Sequence, residues 1–368
     1  MSNSKKILII LFILLFIAIG VFLVYNFLFK KTPPEKIPSE EVSYHYEENV
    51  PPAEKRIKTI SKEPVVSPII GNDNKIKYYS AINGNLWECD INGNNFKLVS
   101  SKNRKGLIKV LWSPNKTESI LIFSINDKIK KYFYNYTTDR LKELSSNIKW
   151  IAFSPSGNKI AYQYIDEKSN NISIANPDGN NWQNILPTRI KDLIVEWPSS
   201  DKISIRTKPS GLAQSVLYTI SVTDSSITKI LTDIYGLSIL WSPTGDKFIY
   251  SSTNNSGKNL TLNLRDKNGN ISDLNIATLP EKCVWSVDDK TLYCAVPKIL
   301  PNRAVLPDDY YKGLVSTSDE IWKINTQTKE KTLIIDTDYD VFSPLLSPYE
   351  KYLFFINKKN GYLYRLTL

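Results

Sequence analysis

Few residues in this 368-residue chain can do chemistry, and their placement is uneven. The single histidine, His45, lies in a proline- and glutamate-rich stretch, so the remainder can build neither a His-based triad nor a His-containing metal cluster. There is no G-x-S-x-G nucleophile elbow, no Gly-rich phosphate loop and no Walker-type lysine. Carboxylates remain. Asp308 and Asp309 stand beside Tyr310 and Tyr311, and Asp319 and Glu320 follow shortly after. A glycosidase or lyase working by carboxylates alone needs two of them about 5 to 9 Å apart across a cleft, and these four are the local acidic cluster to test. Asp308, Asp309, Tyr310 and Tyr311 also have the mixed charge and aromatic character of a contact surface. The alternative is a loop that packs over its neighbour with its acids in water. Nothing here calls for a metal or cofactor.

Cysteine is scarce, with three in all. Cys283 and Cys294 flank the turn from Trp285 to Lys290, and in a hairpin whose paired positions sum to 577 they face each other. They are expected either to form a cross-strand disulfide or to pack as two buried thiols. Cys89 is left over, as a core residue or free thiol.

The elements that must position these residues come from a repeat. An apolar residue followed by Ser-Pro recurs at Val66-Ser67-Pro68, Trp112-Ser113-Pro114, Phe153-Ser154-Pro155, Trp241-Ser242-Pro243 and Leu346-Ser347-Pro348, with relics at Trp197-Pro198-Ser199 and Trp285-Ser286-Val287. The steps between them are 46, 41, 44, 44, 44 and 61 residues, the spacing of propeller blades built from four short strands. A turn such as Ser156-Gly157-Asn158 follows each anchor, then a β-rich run such as KIAYQY or KFIYSS, then a third strand (VLYTISV, EIWKINT) and a fourth. The last unit reaches Leu368 after three strands, and RIKTIS at 56–61 matches the missing fourth. The expected fold is therefore all-β, a seven-bladed propeller closed by its own N-terminal strand, favoured over six or eight blades. The anchors Trp112, Phe153, Trp197, Trp241, Trp285 and Leu346 recur once per blade, which makes them space-filling rather than a stacking platform. The 61-residue step reflects an insertion, PKILPNRAVLPDDYYKGLVS, between Pro297 and Ser316, and insertions in repeat proteins tend to emerge on one face.

The motifs W-S-P, F-S-P-S-G and W-S-P-T-G, followed by strands such as KIAYQY, resemble the propeller repeats of TolB-like proteins over residues 56 to 368. That resemblance implies architecture rather than activity. Pro198-Ser199 and Ser286-Val287 depart from the pattern, and no helical domain precedes the propeller, so a Tol-Pal role is not implied.

Residues 7–29 form an uncharged apolar run of 23 residues bracketed by Lys5, Lys6, Lys30 and Lys31, enough to cross a hydrocarbon layer of about 30 Å as a helix. The run continues well past its only small-residue cleavage site, Ala18-Ile19-Gly20, which favours a retained anchor over a cleaved signal. Six residues precede it, an expected cytoplasmic stub. Residues 30–54, rich in proline and glutamate, read as an extended linker able to reach roughly 70 Å. Of the net charge of +10, the four flanking lysines account for all but +6, scattered without the basic stripe of a nucleic-acid groove. The expected protein is a non-catalytic, membrane-anchored, extracytoplasmic binding scaffold whose partner is an envelope protein, a peptide or a cell-wall polymer; the carboxylate-dependent glycosidase or lyase is the alternative.

Overall fold

The computed structural model describes residues 56–368 as seven four-stranded antiparallel sheets. The run 7–29, the linker 30–54 and His45 lie outside the described residues. Among the described residues no helix is long and apolar enough to cross a membrane.

Six blades are consecutive in the chain. Their first strands are Val65–Ile70, Leu107–Trp112, Ile148–Phe153, Ile194–Ser199, Ile239–Trp241 and Cys283–Trp285. First strands of neighbouring blades approach one another, as Val65–Ile70 does Leu107–Trp112 and Ile148–Phe153 does Ile194–Ser199, which makes them the innermost. Blade 7 takes Val341–Leu346, Tyr352–Asn357 and Leu363–Thr367 from the C-terminus and Ile57–Thr59 from the start of the described chain. Ile57 pairs with Leu366, Lys58 with Arg365 and Thr59 with Tyr364. The N-terminal strand thus closes the ring.

Successive side chains of a strand point to opposite faces, and here both faces are apolar because a blade lies on each side. Phe248 in the second strand of blade 5 packs toward blade 4, while the next residue, Ile249, packs toward blade 6. Runs such as KFIYSS therefore read as continuous apolar strands rather than alternating ones. Each of the seven interfaces between blades holds its own buried cluster. The interface between blades 7 and 1 is one of them, with Phe354 and Leu363 packed on Ile60, Val65 and Tyr78.

The anchors end the inner strands, and their chemistry explains why they repeat. Ser113, Ser154, Ser286 and Ser347 each accept, through Oγ, the backbone N–H five residues on, at 3.0, 3.1, 3.1 and 2.9 Å. Trp112 donates Nε1–H to Ser67 O at 2.9 Å, and Trp285 donates to Leu240 O at 3.3 Å, so each ties its blade to the one before.

One anchor is misassigned by the sequence pattern. Val66-Ser67-Pro68 lies inside the first strand of blade 1, at a bulge between Val66 and Ile69. The turn that follows the strand is closed by Gly71 N–H donating to Lys75 O at 2.7 Å, as Ser113 N–H donates to Glu118 O at 2.9 Å in blade 2. Ile70 and Gly71 are thus the blade 1 counterparts of Trp112 and Ser113, and the first step shortens from 46 to 42 residues. The true counterpart of Val66-Ser67-Pro68 is Phe342-Ser343-Pro344, a bulge in the inner strand of blade 7. Ser67 and Ser343 share a positive φ, 45° and 50°. Ser-Pro suits both places because proline cannot donate to a ladder and is tolerated at turns and bulges alike.

Cys283 pairs with Cys294 across the first two strands of blade 6, with their Cα atoms 4.1 Å apart, and a disulfide joins them. Cys89 is a buried free thiol, and burial, with Asp90 and Glu88 adding, pushes it up to about 12.

Two outcomes test this account. Ile60, 2% exposed in the closing interface, is expected on truncation to alanine to lower stability by about 2 to 5 kcal/mol in urea unfolding. Maleimide is expected to label no cysteine in the native protein, one after unfolding without reductant and three with it; labelling of the native protein would contradict the burial of Cys89.

Candidate functional site

The insertion does not stand off the ring. It joins the second and third strands of blade 6, and it lies on the face that also carries the entries to the inner strands. Leu300, Ala304, Leu306, Tyr310 and Val315 form an eighth apolar cluster with Leu260 and Leu279 of blade 5 and its exit, and with Phe342 of the inner strand of blade 7. The segment thus spans blades on both sides of its own.

Two glycines receive it. Leu306 N–H donates to Gly257 O at 2.9 Å. A Cβ on Gly211 would fall 2.2 Å from Leu306 O and 2.6 Å from Gly257 Cα, and a Cβ on Gly257 would fall 2.7 Å from Val305 Cγ1. Gly211 of blade 4 and Gly257 of blade 5 are needed for this close backbone approach.

Asp308 opens a four-residue helix, Asp308–Tyr311. Its carboxylate accepts from Ser210 Oγ at 3.0 Å and Gly211 N–H at 2.7 Å, fastening the insertion to blade 4. Asp309 accepts from Val305 N–H at 2.7 Å within the insertion. Tyr310 is buried, and its hydroxyl donates to Asp340 at 2.9 Å. Tyr311 is 43% exposed. Of the other two predicted acids, Asp319 is buried and Glu320 accepts from Trp322 Nε1 at 3.0 Å. Asp319 and Glu320 are successive strand residues, so their side chains leave opposite faces. The structure therefore uses Asp308 and Asp309 to fasten the insertion, and it brings Tyr310, not its neighbouring acids, to the same buried cluster as Asp319.

Asp319 belongs to a cluster invisible in the sequence. Lys282 is 1% exposed, and its ammonium donates to Asp319 and Asp340, both at 2.7 Å, to Thr317 Oγ1 at 2.9 Å and to Val341 O at 3.1 Å. Lys282 and Asp340 stand at the entries to blades 6 and 7, and Thr317 and Asp319 end the insertion. The Tyr310 ring lies beneath two ammoniums, Lys282 at 5.0 Å and Lys358 at 3.4 Å from its centroid. Removing one partner from a buried pair of this kind leaves an uncompensated charge. The cluster holds the root of the insertion. Burial alone would raise the Asp340 carboxyl, but the Lys282 charge and hydrogen bonds from Lys282, Tyr310 and Thr317 outweigh it and hold it below the ordinary range.

Further charges stand on blades 2 and 4. Burial lowers the Lys109 ammonium of blade 2, against the charge of Glu196 and with that of Arg206. The Tyr311 phenol is pushed up by burial first, then by the charge of Glu281 and a hydrogen bond with it, while Ser238 and Arg206 oppose. Ser238 Oγ donates to one Glu281 oxygen at 3.1 Å. Arg206 Nε reaches Glu196 at 3.5 Å. The other Glu281 oxygen and Arg206 Nη1 are buried with no partner among the described residues.

Sequence reasoning missed Lys282, Asp340, Arg206 and Glu281. Each lies at a strand terminus or connection, and only the packing of blade on blade decides its partners.

No family model matches this chain, and no curated protein matches it. Solved structures do. The oligogalacturonate lyase of Vibrio parahaemolyticus superposes with a TM-score of 0.62 at 9% identity, covering 84% of this chain and 93% of its own. An oligogalacturonate lyase in complex with manganese also gives 0.62, at 12% identity, over 85% and 93%. TolB from Acinetobacter baumannii matches at 13% identity over 83% and 78%, with a TM-score of 0.42. At these identities the likeness to the two lyases is one of fold.

Asp340→Asn is expected to lower stability at neutral pH by about 3 kcal/mol. A carboxyl held below its ordinary value stabilises the fold above pH 3.8 and loses that contribution as pH falls through its folded value. The parent urea midpoint is therefore expected to fall more steeply than that of Asp340→Asn on acidification from pH 5 to pH 2.

Proposed function

We propose that this chain is a binding propeller that takes its ligand on the face carrying the blade 6 insertion, the place where insertions in repeat proteins commonly bind. The observation that carries the reading is the insertion itself, fastened to blade 4 and packed against residues of blades 5 and 7, yet presenting Leu314 and Tyr311, 73% and 43% exposed, to solvent.

The carboxylate-dependent alternative draws on Asp308, Asp309, Asp319 and Glu320, and each of these already serves a partner within the protein. The fold likeness to lyases at 9% and 12% identity gives no ground for transferring their reaction. Binding without catalysis is the simpler reading of this face.

Its setting is the membrane. Residues 7–29 are long and apolar enough to span as a helix, and a linker of residues 30–54 would carry the propeller clear of the surface on the extracytoplasmic side. The partners in reach are an envelope protein, a peptide or a cell-wall polymer, with no nucleic acid among them.

A photo-crosslinking side chain at Leu314 in the anchored protein is expected to capture one discrete species in cells. The same group at Ile271, 52% exposed on the outer strand of blade 5, is expected to capture none. Equal capture from both positions would remove the assignment of this face.

A further inference from the structure

The seam between blades 2 and 3 is filled along its inner part, where Ile120 and Phe133 of blade 2 meet Ile148, Ile160 and Tyr162 of blade 3 in a buried cluster. Outside that cluster it opens. Two cavities of about 450 and 600 Å³ lie there, and they share Asp178 in their walls. The first reaches Asp166, in the turn between the second and third strands of blade 3, which is on the face that carries the blade 6 insertion. The second reaches Asn158, in the turn at the opposite end of that second strand. Asn158 and Asp166 are eight steps of chain apart, about 26 Å at about 3.3 Å per residue. The seam thus carries a groove in two reaches across the rim of the ring. Lys142 of blade 2 crosses it where the reaches meet, its ammonium 3.4 Å from Asp178.

One face of the blade 3 sheet forms the wall of the first reach. Tyr162 pairs with Ser173 and Tyr164 with Asn171, and Ser173 pairs in turn with Asn184, so these side chains leave the same face. Ser173 Oγ donates to Asn184 Oδ1 at 2.8 Å. The Nδ2 groups of Asn171 and Asn184 donate to nothing among the described residues, and the hydroxyl of Tyr162, a side chain only 4% exposed, has no partner among them either. In the second reach Asn158 and Asn176 spend their Oδ1 atoms on Ser156 Oγ at 2.6 Å and Lys159 Nζ at 2.8 Å, which leaves their Nδ2 donors to the groove. Trp182 lines the first reach and is 63% exposed, whereas the other seven tryptophans are buried or half-buried. A large ring in water beside unspent donors has no work in the fold.

A sugar ring offers what this wall lacks: an apolar C–H face for a flat aromatic ring, and hydroxyls that each accept from an amide and donate to a carboxylate. Glu143, Asp166 and Asp178 line the first reach against Lys142 as its single cation, a balance that repels a polyanion. A peptide anchors its side chains in apolar pockets, and the aliphatic residues here, Leu144 and Ile148, are 5% and 4% exposed. We infer that the groove between blades 2 and 3 binds an uncharged glycan chain, with one sugar stacked on Trp182 and its hydroxyls held by Asn171, Asn184 and Tyr162. The length of the groove suits a chain rather than a single ring. This site lies apart from the blade 6 insertion and stands whether or not that face binds.

Titration calorimetry on the full-length protein in detergent separates the parts of the claim. The probes are cellohexaose, maltohexaose and chitin hexasaccharide as neutral chains, hexagalacturonate as a charged one and gelatin as an unfolded polypeptide. At least one neutral hexasaccharide is expected to bind saturably, and its monosaccharide about tenfold more weakly or worse, because only a chain engages both reaches. Trp182→Ala is expected to weaken that binding by about tenfold or more, the scale of a tryptophan central to an interface, while melting with the parent because the ring is largely exposed. Asn184→Ala, a second exposed position, is expected to weaken it in the same direction, and Leu314→Ala on the insertion is expected to leave it unchanged. Binding of no neutral hexasaccharide, hexagalacturonate bound as tightly as the neutral chains, or affinity unchanged in both groove variants would overturn the inference. So would gelatin bound through Trp182 with no sugar bound, which would give the groove to peptides. Sugar binding lost in Leu314→Ala but kept in Trp182→Ala would remove this site and leave the insertion face standing.

Discussion

The closure of the ring by Ile57–Thr59 against Leu363–Thr367 is the constraint on which the rest of the structure depends. A four-stranded sheet apolar on both faces is not stable alone, since each face needs a neighbour. In an open stack two faces would stay wet; in a ring none do. The cluster that joins blade 7 to blade 1 combines residues more than 280 positions apart, Ile60 and Val65 with Phe354 and Leu363. The outer strand also covers an edge of blade 7 that would otherwise present unpaired backbone groups.

Closure creates the axis, and the insertion makes one end of that axis distinctive. Its apolar residues form a separate core over blades 5 to 7, its Asp308 fastens it to blade 4, and two glycines allow its backbone to approach. A buried ion cluster around Lys282 holds its root. The acids of the insertion therefore serve its attachment.

The two kinds of buried charge here show why burial alone does not mark a site. Lys282 is buried and fully paired, with two carboxylates, a hydroxyl and a carbonyl around one ammonium. Arg206 is nearly as buried and loosely paired. In a low-dielectric surrounding the first arrangement is structural, because every donor is used. The second leaves Arg206 Nη1 without a partner among the described residues.

How much of this was legible in the chain divides along the range of the interactions. The sequence by itself determined the repeat, the seven blades, the closing strand and the pairing of Cys283 with Cys294, because each follows from short-range periodicity and turn chemistry within a unit of about 40 to 45 residues. It misplaced the blade 1 anchor, since Ser-Pro serves a bulge at Ser67 as readily as a turn at Ser113. It located the insertion and its notable residues but not their work, which is attachment for Asp308 and burial for Tyr310. Only the tertiary structure decided which charges meet. Lys282 and Asp340 come from different blades, and electrostatic neighbours across a blade interface have no fixed separation in sequence.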